Sequence, residues 1–81
     1  MEITVGTVVF SKAGRDKRKM LLVIKTYGNY AYVCDGDLRK VDKPKKKKLI
    51  HLQRTNYTEI IDPDNLTNSQ VRGILDKYKP V

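Results

Sequence analysis

The chain has 81 residues, 40% of them hydrophobic, and a formal net charge of +8; that length allows one small domain, and that apolar content exceeds what a disordered chain carries. Its single cysteine excludes an internal disulfide and a paired-cysteine zinc motif, as expected of a reducing compartment. The longest apolar run, residues 20–24, is far short of the ~18 residues a membrane span needs, and Met1 and Glu2 open on an acid rather than a basic leader, so we expect a soluble, cytoplasmic protein with no membrane partner.

The first half of the chain reads as strands. Residues 5–11 (VGTVVFS) and 19–26 (KMLLVIKT) are β-branched or apolar runs on either side of a polar, glycine-containing connection. Residues 30–34 (YAYVC) alternate, with Ala31 and Val33 on one face and Tyr30, Tyr32 and Cys34 on the other. They follow the second strand through Gly28 and Asn29, which tolerate the left-handed backbone of a tight hairpin turn. Asp35, Gly36 and Asp37 mark another turn, and Pro44 helps to end the loop after it. Residues 46–52 (KKKLIHL) form a fourth strand, short or irregular because only Leu49, Ile50 and Leu52 are apolar. Residues 58–61 either add a further strand or lie across the others. Short strands so closely spaced point to a closed barrel rather than an open sheet, because closure removes unprotected edges. We therefore expect a mainly β fold, a small SH3-like barrel over residues 1–56 of a single domain, with residues 57–81 as a C-terminal extension.

That extension changes period. Thr67 followed by Gln70 fits a capping box, Leu66 and Val71 fit the flanking hydrophobic staple, and Asn68 and Ser69 suit a first turn. Val71, Ile74, Leu75 and Tyr78 fall at i, i+3, i+4 and i+7, so the spacing predicts a short amphipathic helix over about residues 68–78, stopped by Pro80. Gly73 weakens it by about 1 kcal/mol relative to alanine, so the helix needs its apolar stripe docked, on the barrel or on a partner.

Charge is concentrated in two places. Residues 12–19 carry Lys12, Arg15, Lys17, Arg18 and Lys19 against Asp16, and residues 39–54 carry Arg39, Lys40, Lys43, Lys45, Lys46, Lys47, Lys48 and Arg54 against Asp42. The rest of the chain has more acids than bases. Solubility alone needs only a scattered excess, so this distribution describes a surface for a polyanion, most commonly nucleic acid.

The sequence around the first stretch resembles a known motif. Residues 6–19 (GTVVFSKAGRDKRK) with LLVI at 21–24 are similar to a KOW motif, a strand–loop–strand element of many ribosomal and transcription-associated proteins. Residues 29–36 (NYAYVCDG), the basic run 45–48 and residues 50–52 (IHL) extend the likeness. Over about residues 5–55 the order resembles the archaeal and eukaryotic large-subunit ribosomal KOW family of the "L fourteen e" type. The resemblance implies an SH3-like barrel that binds structured RNA, often ribosomal RNA, without catalysis, cofactor or metal, and with ribosomal proteins as further partners. One position departs from the pattern: Arg18 stands where KOW loops typically carry a glycine. The loop then either turns differently or holds Arg18 in a strained conformation at a cost of order 1 kcal/mol. The terminal helix lies outside the likeness.

Among the candidate RNA-binding residues, Arg15, Arg18, Arg39 and Arg54 can engage phosphates through a planar fork or stack on an unpaired base. Lys12, Lys17, Lys19, Lys40, Lys43, Lys45, Lys46, Lys47 and Lys48 act as mobile point charges, so specificity is expected for RNA shape rather than base sequence. Extended, the four consecutive lysines cannot all face one ligand. Tyr27 and Tyr30 either stack on a flipped-out base or pack on each other across the hairpin. His51 either contacts a phosphate or base or serves as a structural residue at a strand end, and Cys34 reads as a small buried hydrophobe. No catalytic set emerges: a Cys34–His51 dyad lacks an orienting third group, and Asp35 and Asp37 are explained by turn chemistry. The chain is therefore expected not to be an enzyme and to take no small-molecule substrate. The competing reading is a protein-interaction module using the barrel or the helix, its lysines mainly solubilising.

Overall fold

The computed structural model describes residues 2–79, so the expected stop at Pro80 lies outside the described residues. Five strands, β1 (Thr7–Ser11), β2 (Met20–Tyr27), β3 (Tyr30–Cys34), β4 (Lys45–Lys48) and β5 (Leu52–Thr58), form one sheet of order β4-β3-β2-β1-β5, and a single helix, α1 (Asn68–Tyr78), follows. Among the described residues every pairing between these strands is antiparallel.

The unbroken apolar run of β2 is explained by burial on both faces. Met20, Leu22 and Ile24 join Val8, Cys34, Val71 and Leu75 beneath α1, whereas Leu21 and Val23 join Val9, Ala31, Val33 and Leu52 on the opposite side. Alternation along β3 follows the same division, with Ala31 and Val33 on one side and Tyr32 and Cys34 on the other. A register shift between Val23 and Lys25 then releases the end of the β2–β3 hairpin into solvent. At its tip Gly28 supplies the positive φ, +57°, and Asn29 does not share it.

The expected fourth strand over residues 46–52 divides in two. Lys45–Lys48 is β4, Leu49–His51 is a 3-10 turn, and Leu52 begins β5, which ends at Thr58. Residues 59–61 are not a strand, and the expected boundary after residue 56 falls inside β5. Apolar patterning does not reveal β5, because Leu52 is its only buried residue. Its order comes instead from the ladder with β1 and from the Thr55 hydroxyl, which donates to the Val8 carbonyl at 2.5 Å.

β4 and β5 lie at opposite edges of the sheet, which in a flat sheet would be about 19 Å apart at ~4.8 Å per strand. The chain nevertheless passes between them through a 3-10 turn, which advances only ~2 Å per residue. The sheet is therefore curled enough to bring the end of β4 near the start of β5, but it is not closed, since among the described residues no ladder joins β4 to β5.

Helix α1 begins with the expected capping box: the Thr67 hydroxyl accepts from the Gln70 amide at 3.1 Å and the Gln70 side chain accepts from the Thr67 amide at 2.9 Å. Leu66 packs in the same cluster as Val71, as a staple requires. Val71 and Leu75 are buried against the sheet, each worth roughly 1.5–3 kcal/mol by area removed from water. Polar bonds fix the helix laterally: the Asn68 side-chain oxygen accepts from the Val41 amide at 2.8 Å, and Arg72 donates to the Gly36 carbonyl at 2.6 Å. Gly36, at φ +78°, lies so close that an added Cβ would sit 2.4 Å from the Asn68 carbonyl oxygen. At the other end Tyr78 stacks on Tyr57 with ring centroids 4.3 Å apart and donates its hydroxyl proton to Glu59.

Candidate nucleic-acid interface

The connection between β1 and β2, residues 12–19, is folded into two successive turns. The Lys17 amide donates to the Gly14 carbonyl at 3.2 Å and the Lys19 amide to the Asp16 carbonyl at 2.8 Å. Arg18 occupies the third position of the second turn with φ +71°, the only non-glycine residue with positive φ among those described. A type II turn demands positive φ at that position and ordinarily receives it from glycine. Of the two expected outcomes for Arg18, the left-handed one is found. The Arg18 amide donates to the Ser11 carbonyl at 2.7 Å, which holds the turn against the end of β1.

Asp16 is the centre of the site. It is 3% exposed; its Oδ2 accepts from Arg39 Nε at 3.2 Å and is ion-paired with Arg39 Nη2 at 3.1 Å and Lys47 Nζ at 3.7 Å. Burial pushes its carboxyl pKa up, but the Arg39 hydrogen bond and the positive charges of Arg39, Lys47 and Lys19 outweigh that and hold it below the ordinary value. Lys47 also donates to the Ala13 carbonyl at 3.4 Å, and the Lys12 amide donates to the His51 carbonyl at 2.7 Å. The two basic stretches are thus brought together, and the residues joining them are an acid and two of the cations.

The cations consequently differ in what they can reach. Lys12, Arg15, Lys17 and Arg18 are exposed and Lys19 is half-buried; Lys40, Lys43, Lys45, Lys46, Lys48 and His51 are exposed. Arg39 and Lys47 are committed to Asp16, and Arg54 Nε donates to the Glu2 carbonyl at 3.3 Å. β4 alternates as an extended strand must: Lys45 and Lys47 stand opposite Val33 and Ala31, Lys46 and Lys48 opposite Tyr32 and Tyr30. The Lys46 ammonium lies 4.3 Å from the centre of the Tyr30 ring, whereas Tyr27 is 72% exposed. Tyr27 is therefore the freer of the two rings of the hairpin, and the two do not stack on each other.

On the helix side of the 16–19 turn, a cleft of about 490 Å³ is lined by Phe10, Met20 and Leu75, by the cations Arg18, Lys19, Arg72 and Lys79, and by the acids Asp35, Asp37 and Asp76. Its charge is mixed: Arg72 is engaged with the Gly36 carbonyl and Lys79 pairs with Asp76 at 3.2 Å, so the helix side does not simply extend the basic surface. Cys34 is fully buried, and burial followed by the negative charge of Asp35 pushes its thiol pKa up to about 12, which keeps it protonated and unreactive. Asp35 performs turn chemistry, its Oδ1 accepting from the Asp37 and Arg39 amides, both at 2.8 Å.

Comparison with protein-family models and with curated proteins finds no match. Among the described residues no helix is long and apolar enough to cross a membrane.

Proposed function

We propose that the protein is a non-catalytic, KOW-type RNA-binding protein, an SH3-like barrel with an appended helix, acting in the cytoplasm on structured RNA of the ribosome or the translation apparatus. The observation that carries this reading is the meeting of residues 12–19 with Arg39 and Lys47 around Asp16, which joins two separate basic stretches into one surface. The left-handed Arg18 supports it further, since this is the conformation a glycine provides in the KOW loops the sequence resembles. The curl of the sheet, imposed by the short link between opposite edges, supports the barrel. Lys12, Arg15, Lys17, Arg18 and Lys19, with Lys40, Lys43, Lys45 and Lys48, would neutralise phosphates, while exposed Tyr27 offers a stacking face.

Six to eight phosphate contacts would make log K fall with log salt at a slope of roughly −4 to −7. Titration of a fluorescent RNA hairpin at several salt concentrations, with heparin as competitor, measures that slope and separates RNA recognition from general polyanion affinity. Absence of binding at low salt, or binding insensitive to salt, would sink the reading. Co-sedimentation of the native protein with large ribosomal subunits tests the ribosomal assignment. The helix-based version of the protein-interaction alternative is weakened, because Val71 and Leu75 are already buried under the chain's own sheet.

A further inference from the structure

Within a loop that carries five cations, Asp16 is the one acid, and it is the residue of that loop withdrawn most fully from solvent. As a simple charge it opposes a polyanion. Its contacts indicate another role. One carboxylate oxygen holds Arg39, from the connection after β3, and Lys47, from β4, while the Asp16 backbone belongs to the turn between β1 and β2. Three segments remote in sequence are therefore fastened at a single buried atom. The two cations that lie nearest it are poorly placed to face a ligand, since the Lys47 side chain is 9% exposed and that of Arg39 30%.

We infer that Asp16 is a positioning residue for the RNA-binding surface: by clamping Arg39 and Lys47 it presents the exposed cations of both basic stretches in one preformed arrangement. This rests on the RNA-binding reading above. A flexible loop has to be ordered when it binds, and that entropic cost is subtracted from affinity. With the clamp in place, Lys12, Arg15 and Lys17 on one side and Lys40 and Lys43 on the other are ordered on folding. Asp16 then raises affinity although its charge has the wrong sign.

Two substitutions separate geometry from charge. Asp16→Asn adds one net positive charge; acting by charge alone it would tighten RNA binding a few-fold and steepen the salt dependence. Asp16→Glu leaves the net charge unchanged, so charge alone predicts no effect. Loss of preorganisation instead predicts binding about tenfold weaker for Asp16→Asn and several-fold weaker for Asp16→Glu. The measurement is fluorescence anisotropy with the same RNA hairpin, paired with amide hydrogen exchange. Amides of residues 12–19 are expected to exchange faster in both variants while those of Val8 and Leu22 keep their protection. Unchanged or tighter binding by Asp16→Asn, or wild-type affinity in Asp16→Glu, overturns the inference; should Asp16→Asn fail to fold, Asp16→Glu decides. Wild-type binding with unaffected variants removes only this inference, whereas a wild-type protein that does not bind the hairpin at low salt removes the RNA reading and this inference with it.

Discussion

Arg18 and Asp16 are two residues apart and show how side chains and backbone trade against one another in a tight loop. Arg18 holds φ +71°, a region that costs a non-glycine residue roughly 1–2 kcal/mol. Arg18→Gly should therefore stabilise the fold by about 0.5–1 kcal/mol after the greater unfolded-state freedom of glycine is subtracted. It should also lower the salt slope of RNA binding by about 0.7–0.9 if that arginine meets a phosphate. Urea melts and anisotropy titrations read the two effects, and a destabilised Arg18→Gly would contradict the strain argument. Asp16 makes a prediction about pH. Its folded-state pKa lies below its ordinary value despite the opposing effect of burial, because Arg39, Lys47 and Lys19 favour the charged form. The stability it contributes is present above the unfolded value of about 4 and is lost as pH falls through the folded value. Glu59 is also held low, by hydrogen bonds from Lys77 and Tyr78, so the wild-type profile contains both groups. Urea melts from pH 7 to 3 should show Asp16→Asn less stable than wild type at neutral pH and the difference closing in acid.

At the scale of single elements, local chemistry and tertiary contact contribute unequally. The capping box and the i, i+3, i+4, i+7 stripe of α1 lie within a few residues of one another and are readable in order, and α1 forms where they place it. β5 has no such signature. It alternates little, buries only Leu52, and exists because β1 offers it a ladder. Gly73 separates the two kinds of cause: it lies within α1 but an added Cβ would meet nothing within 4 Å. Gly73→Ala should accordingly stabilise the protein by about 0.8–1 kcal/mol through helix propensity alone. Thermal melts followed by circular dichroism check this, and an unchanged or lower midpoint would show that the position is constrained by something other than backbone freedom.

For the whole molecule, the charge asymmetry visible in the sequence becomes a division of labour. Lys17 and Lys47 are both lysines of basic stretches, yet Lys17 is exposed whereas the Lys47 ammonium is held between Asp16 and the Ala13 carbonyl. Lys17→Met should reduce the salt slope of RNA binding by about 0.7–0.9 with little loss of stability. Lys47→Met should cost about 1–2 kcal/mol of stability, having left a buried carboxylate with one partner fewer, and change the slope less. Equal slope changes in the two variants would show that both lysines meet phosphate. The apolar run of β2, the β2–β3 hairpin, the capped helix and the two basic stretches are legible along the chain, because each is written in composition, side-chain periodicity or turn chemistry over a few neighbouring residues. Long-range contact, by contrast, makes β5 a strand and brings Asp16 to Arg39, 23 residues away, and to Lys47, whereas the left-handed Arg18 is settled by the turn it sits in. β5 depends on its ladder with β1, and the Asp16 contacts depend on three segments folding against one another, so residues that far apart along the chain leave no local signal.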